Sequence, residues 1–133
     1  ALALSQVRRV LLLGVGGGAA IHLLRDWCPG VHITGVELNP VHLQLARKFF
    51  KLQGRDLQLL QGDAKAFVEN YQGEPFDLVI EDLFGGNGVP DRSFAADRKW
   101  CTALGAVDVF NLFSFGRHRY SGSISKGSIQ LPL

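Results

Sequence analysis

The feature that most constrains the fold of this chain is a regular alternation of short apolar runs with helix-like segments. The runs are rich in Val and Leu and stop at glycine, proline or asparagine, which is typical of buried strands in a parallel sheet. The segments between them carry apolar residues at helical spacing. Because short links join these alternating elements, we expect right-handed crossovers with helices on both faces of the sheet. The predicted class is α/β, a Rossmann-like doubly wound, mostly parallel sheet.

The pattern predicts strands and helices at defined positions. Strands are predicted over Val7–Leu13, His32–Leu38, Leu57–Gln61, Phe76–Leu83 and Val107–Phe115. Helices are predicted over Ala19–Trp27, Val41–Leu52, Ala64–Tyr71 and 93–104. We predict that the second helix is amphipathic and ends before Gly54, with an apolar face formed by Val41, Leu45, Phe49 and Leu52. We expect one domain over residues 1–133, in which residues 105–133 fit the pattern least.

Composition and charge exclude several classes of function. The chain is 47% hydrophobic and 20% charged, the balance of a globular domain. Its net charge of +2, without any long run of basic residues, predicts no nucleic-acid partner. No apolar run approaches the roughly 20 residues of a membrane span, so we expect no membrane partner. The two cysteines form no disulfide framework, so we expect reduced thiols in a cytoplasmic protein. Cys28, Cys101 and the histidines share no ligand spacing, so we expect no bound metal.

A glycine-rich loop follows the first predicted strand. Gly14, Gly16 and Gly18 allow the backbone to turn sharply and let a ligand approach without obstruction by a Cβ atom. The helix after the loop offers unpaired N–H groups and the positive end of its dipole. The loop matches the dinucleotide-binding fingerprint, but S-adenosylmethionine also docks on loops of this kind. The loop alone leaves both cofactors open.

Carboxylates follow the second and third predicted strands. Glu37 lies about 20 residues beyond the glycines, where an acid can accept hydrogen bonds from both ribose hydroxyls of a nucleotide. Asp63 stands where a carboxylate can accept from an adenine amino group. Asp63 also precedes a predicted helix and is a good N-cap residue, and the two roles can coexist with one oxygen for each.

The fourth predicted strand ends in two consecutive acids. Side chains alternate along a strand, so Glu81 and Asp82 should point to opposite faces, with one of them towards the ligand crevice. Asp82 adjoins the following glycine loop and is the candidate. Asp77 lies at the far end of this strand, so we expect a structural role for it.

Taken together, the segments "VLLLGVGGG", "GVELNP", "GDA" and "FDLVIEDLF" resemble successive motifs of class I S-adenosylmethionine-dependent methyltransferases. The closer resemblance, over roughly residues 7–104, is to the spermidine-synthase-like branch. It implies S-adenosylmethionine or its decarboxylated form as cofactor, and a sheet that is incomplete at the C-terminus. The implied cofactor-binding residues are Gly14, Gly16 and Gly18 along the methionine end, Glu37 at the ribose, and Asp63 with Ala64 at the adenine. The implied catalytic residue is Asp82, which would accept a proton from the attacking amine or orient it.

The sequence departs from aminopropyltransferases directly after this acid. Those enzymes carry a second aspartate that helps to bind the polyamine, whereas this chain has Gly85. A buried ammonium group that lacks an anionic partner is costly. We therefore expect a methyltransferase with a small-molecule acceptor such as an amine, and a homodimer as the candidate assembly. The alternatives are a polyamine aminopropyltransferase that uses decarboxylated S-adenosylmethionine, a non-catalytic cofactor-binding or scaffold domain, and a nicotinamide oxidoreductase.

Overall fold

The computed structural model describes residues 4–85 and, by its backbone alone, the strand 108–111. After a short 3-10 helix at Leu4–Gln6, strands and helices alternate as predicted. The strands are β1 (Arg9–Leu13), β2 (His32–Glu37), β3 (Leu57–Gln61), β4 (Leu78–Glu81) and β5 (Asp108–Asn111). The helices are α1 (Ala19–Trp27), α2 (Pro40–Phe49) and α3 (Ala64–Asn70). The predicted helix over 93–104, and the segments beyond residue 111, lie outside the described residues.

The strands form one sheet in the order β3-β2-β1-β4-β5, and each neighbouring pair is parallel. The first strand therefore lies in the middle, with β2 on one side and β4 on the other. The chain runs outwards from β1 to β3 and then crosses to the other side of β1. A crevice forms at such a reversal of strand order, outside the carboxyl ends of the strands.

Helices cover both faces of the sheet, as predicted. Helices α1 and α2 pack on one face, in a core whose members include Val10, Leu12, Ile21, Leu24, Leu43 and Ala46. Helix α3 packs on the other face, in a core whose members include Leu11, Leu13, Val36, Ala64, Val68 and Val79. Consecutive residues of β1 thus contribute to opposite cores, because side chains alternate along a strand. The doubly wound parallel fold is confirmed.

The predicted apolar face of the second helix is wrong. Val41, Leu45 and Phe49 are 52%, 43% and 62% exposed, whereas Leu43 and Ala46 are buried against the sheet. The helix carries apolar residues on two sides, and helical periodicity alone does not say which side meets the sheet. Packing against the core selects the row that contains Leu43 and Ala46.

The end of this helix also differs from the prediction. The helix stops at Phe49 and not at the predicted Leu52, and Phe50 donates its backbone N–H to the carbonyl of Ala46 over 3.1 Å. The turn is made by Lys51, which takes a left-handed conformation with φ of 52°. Leu52 is then buried in the core beside α1. Glycine is the residue usually found at such a turn. The sequence pattern therefore does not indicate that Lys51 makes it.

Asp77 has the structural role that its position suggested. Its Oδ2 accepts hydrogen bonds from the backbone N–H groups of Arg8 and Arg9, both at 2.8 Å. This ties the entry of β4 to the entry of β1, at the edge opposite the crevice. Within residues 4–85 and 108–111, no helix has the length and apolar character needed to cross a membrane.

Candidate functional site

The carboxyl ends of the central strands lie level with one another. Leu13 pairs with Val36 on one side and with Glu81 on the other. One residue further along each strand, the register brings together Gly14, Glu37 and Asp82. The backbone N–H of Asp82 donates to the carbonyl of Leu13 at 2.7 Å, and that of Gly14 donates to Val36 at 2.8 Å. Three predicted site residues are therefore neighbours in space, although far apart in sequence.

The three glycines of the loop have different structural roles. Gly14, Gly16 and Gly18 have φ of 86°, 51° and 76°, in the left-handed region that favours glycine. A Cβ atom on Gly14 would collide with the backbone carbonyl of Asp82, and one on Gly18 would collide with the Leu52 side chain. A Cβ atom on Gly16 would meet no described atom within 4 Å. Gly14 and Gly18 are thus required for packing, while Gly16 leaves open space at the crevice.

Glu37 is buried, with 8% of its surface exposed, and it is held by backbone groups. Its Oε2 accepts from the N–H groups of Val15 at 3.0 Å and Gly16 at 3.1 Å, and its Oε1 accepts from the N–H of Asn39 at 2.9 Å. Burial alone would raise the pKa of Glu37, but these hydrogen bonds, with a smaller contribution from nearby His42, lower it below its usual range. Glu37 is therefore a carboxylate at neutral pH, and it also fixes the shape of the glycine loop.

Asp82 has a contrasting environment on the other side of β1. Its Oδ1 is buried and has no hydrogen-bond partner among the described residues. Burial raises the pKa of Asp82, and the negative charge of Glu37 raises it further. A buried carboxylate oxygen without a partner is costly. Its position suits an oxygen that accepts a hydrogen bond from, or takes a proton from, a group bound in the crevice.

Asp63 and Ala64 mark the end of β3 at the same edge of the sheet. Oδ1 of Asp63 accepts from the backbone N–H of Ala66 at 2.8 Å, which caps α3. The N-cap role anticipated for Asp63 is therefore present. The side chain of Asp63 is exposed, so it is accessible to a ligand, whereas Ala64, the next residue, is buried.

Two features of the site were not anticipated. One is the set of backbone donors, Val15, Gly16 and Asn39, that bind the Glu37 carboxylate. The other is His42, whose Nδ1 lies 3.4 Å from Glu37 Oε1. The sequence feature that could have indicated this contact is the place of His42 in the first turn of the helix that follows Glu37. Among residues 4–85, no three His, Cys, Asp or Glu side chains are grouped closely enough to hold a metal ion.

The arrangement defines which ligand chemistry it can accept. Carboxylates at the ends of β2 and β4 and on the loop after β3 suit hydroxyl and amino donors and a positive charge. Gly16 keeps the loop side of the crevice clear, and the orphaned Asp82 oxygen faces no protein donor in the described part of the chain. A nucleoside that carries a cationic centre fits these residues.

Comparison with known proteins agrees with this geometry. The sequence model of a family described as a methyltransferase domain matches residues 10–97. Polyamine aminopropyltransferase of Vibrio vulnificus is 30% identical over 113 residues, which are 80% of this chain and 38% of that protein. The eEF1A lysine and N-terminal methyltransferase homolog of Drosophila melanogaster is 33% identical over 97 residues, which are 67% of this chain and 14% of that protein.

A solved structure extends the likeness to the fold. Human methyltransferase-like protein 13 in complex with SAH aligns with a TM-score of 0.62 at 19% identity, over 80% of this chain and 53% of that one. The chain spans less than half the length of the two relatives given above. The match over residues 10–97 nevertheless covers most of it, and it confirms the resemblance found in the sequence. The chain belongs to the class I S-adenosylmethionine-dependent methyltransferase family, and its similarity to polyamine aminopropyltransferases places it in the spermidine-synthase-like branch.

Proposed function

We propose that this chain forms the cofactor-binding part of an S-adenosylmethionine-dependent transferase, most simply a methyltransferase acting on a small-molecule amine. The observation that carries the proposal is the pairing of a fixed carboxylate, Glu37, with an unsatisfied one, Asp82, on either side of the glycine loop. The first suits the binding of a neutral sugar. The second suits a cationic or proton-donating group.

Each site residue has a role in this proposal. Gly16, with Gly14 and Gly18 shaping the loop, would lie against the methionine end of the cofactor. Glu37 would accept from the ribose hydroxyls. Asp63 would use the oxygen that does not cap α3 to accept from the adenine amino group, with Ala64 beside the ring.

Asp82 would act on the acceptor. When bound, S-adenosylmethionine supplies an electrophilic methyl group on a sulfonium centre. The Oδ1 atom of Asp82 would accept a hydrogen bond from the attacking amine and hold its lone pair in line with that carbon, a contribution of proximity and orientation. The raised pKa of Asp82 brings the carboxyl closer to the pH at which it can also take up the amine proton.

A polyamine aminopropyltransferase is the second candidate, favoured by the 30% identity to the Vibrio vulnificus enzyme. Gly85 speaks against it, because this position provides no carboxylate for the second ammonium group of a polyamine. The sequence also leaves open a scaffold domain that binds the cofactor without turnover. Cytoplasmic location, a homodimeric assembly and a single domain over residues 1–133 stay predictions of the sequence.

Calorimetric titration separates these functions. We expect S-adenosylmethionine and S-adenosylhomocysteine to bind, and NAD to show no heat of binding. Tighter binding of decarboxylated S-adenosylmethionine would favour aminopropyl transfer. Absence of binding by every S-adenosyl compound would contradict the proposal.

A charge-removing substitution tests whether Asp82 also faces the positively charged sulfonium centre of the cofactor. Asp82→Asn should weaken the binding of cationic S-adenosylmethionine more than that of neutral S-adenosylhomocysteine, since only the first carries a sulfonium charge. Asp26→Asn is the matched control, because Asp26 is exposed on α1 and should leave both affinities unchanged. If Asp82→Asn lowers the affinity for both ligands equally, Asp82 does not face the sulfonium.

A further inference from the structure

His42 lies beside the carboxylate to which the proposed function assigns the ribose. Its Nδ1 is 3.4 Å from Glu37 Oε1. The side chain is 49% exposed and belongs to the first turn of α2. Asn39 caps that turn and binds the same carboxylate through its own N–H group. The start of the helix therefore carries His42 to the outer side of Glu37.

The hydrogen-bonding capacity of Glu37 is nearly used up by the protein. A carboxylate offers about four lone-pair positions. Three of them accept the backbone N–H groups of Val15, Gly16 and Asn39. The imidazole of His42 lies at the remaining side, next to Oε1. The position beside His42 is therefore the one at which a ribose hydroxyl can bind Glu37 without displacing a backbone N–H group.

The four contacts to Glu37 differ in how readily they can be broken. The N–H of Val15 is buried inside the glycine loop, and removing its acceptor would leave a buried donor unsatisfied. The N–H of Asn39 is fixed by the turn that begins α2. His42 makes the longest of the four contacts, and its half-exposed ring can move into water by a rotamer change. The contact with His42 is thus the one that breaks most easily.

We propose that His42 competes with the cofactor ribose for Glu37, and that its ring must leave the carboxylate before a nucleoside can bind there. This inference rests on the proposed function, because it takes Glu37 as the ribose site. His42 is then a residue that sets cofactor affinity without taking part in the reaction. Its presence lowers affinity, in contrast to the usual effect of a polar side chain in a binding site.

The direction of the change in affinity tests the inference. Titration of the 133-residue chain with S-adenosylhomocysteine should show binding about two- to fivefold tighter in His42→Ala than in the wild type, the range expected for loss of a half-exposed contact to a carboxylate. Alanine suits the helix, so α2 should be retained. His32→Ala is the matched control, since His32 is exposed at the opposite end of β2 and should leave the affinity unchanged.

Nuclear magnetic resonance of the wild-type chain gives a second readout that needs no variant. The ring nitrogen signals of His42 should change when S-adenosylhomocysteine is added, because Nδ1 loses the carboxylate. Unchanged ring signals, or an affinity that falls or stays the same in His42→Ala, would overturn the competition. Failure of the wild type and the variant to bind any S-adenosyl compound would instead contradict the proposed function, and the inference would fall with it.

Discussion

Glu37 and Asp82 lie on either side of the end of the central strand, and the charge on Glu37 raises the pKa of Asp82, in addition to the larger effect of burial. The two acids nevertheless differ, because backbone N–H groups bind Glu37 and lower its pKa. Compared with Glu37, Asp82 keeps an oxygen that is buried without a hydrogen-bond partner among the described residues. The fold therefore stabilises the charged form of Glu37, whereas the burial of charged Asp82 lowers the stability of the fold.

Asp82→Asn should increase stability while it reduces cofactor binding and turnover. The folded-state pKa of Asp82 lies above its unfolded value, so the folded chain holds this proton more tightly. The associated stability is present below the unfolded pKa and is lost as pH rises through the folded pKa. At pH 7 the substitution removes a buried charge, and we expect the melting temperature to rise by about 2–5 °C. Thermal unfolding of the wild type and the variant at pH 7 and pH 4 measures this change. A rise in melting temperature that is as large at pH 4 as at pH 7 would contradict the prediction.

Glu37→Gln should destabilise the chain and abolish nucleoside binding. The folded-state pKa of Glu37 lies below its unfolded value, so its contribution is present above the unfolded pKa and is lost as pH falls through the folded pKa. An amide has one acceptor oxygen, so at least one of the N–H groups of Val15, Gly16 and Asn39 loses its partner, at about 1–3 kcal/mol for each. Urea unfolding gives the free energy. Glu74→Gln, at a side chain that is largely exposed, should change it by less than about 0.5 kcal/mol.

Gly16→Ala should impair cofactor binding more than stability. Gly16 and Gly30 both have positive φ, and a Cβ atom on either would have no described neighbour within 4 Å. Each alanine substitution should therefore cost about 1–2 kcal/mol through backbone strain alone. Gly30 precedes β2 at the far edge of the sheet, so Gly30→Ala should retain wild-type affinity for S-adenosylhomocysteine. Equal affinities in the two variants would mean that Gly16 does not face the cofactor.

Leucines two residues apart on α2 should differ in their effect on stability. Leu43 is 4% exposed and Leu45 is 43% exposed. Leu43→Ala removes buried contacts and should lower the free energy of unfolding by about 2–4 kcal/mol, whereas Leu45→Ala should lower it by less than about 1 kcal/mol. Chemical denaturation of both variants checks the pair. The reverse order would restore the helix face that periodicity suggested.

Local sequence signals located the elements well where they are unambiguous. The first helix and the third strand have the predicted bounds, because a glycine loop, a proline–glycine stop or a Gly-Asp turn limits each of them. The second helix was predicted less well. Apolar side chains occur on two of its sides, and a lysine rather than a glycine makes the turn after it. No local sequence pattern selects the side of the helix that is buried or the residue that makes the turn.

The sequence by itself determined which residues stand at the ends of buried strands, because alternating apolar runs and turn residues act over short distances along the chain. It thereby indicated the glycine loop, Glu37, Asp63 and Asp82. Only the tertiary structure decided that β1 lies between β2 and β4, which makes Glu37 and Asp82 electrostatic neighbours. It also decided that loop N–H groups and His42 bind Glu37. These contacts depend on strand order, backbone direction and burial, which arise only when distant segments pack together.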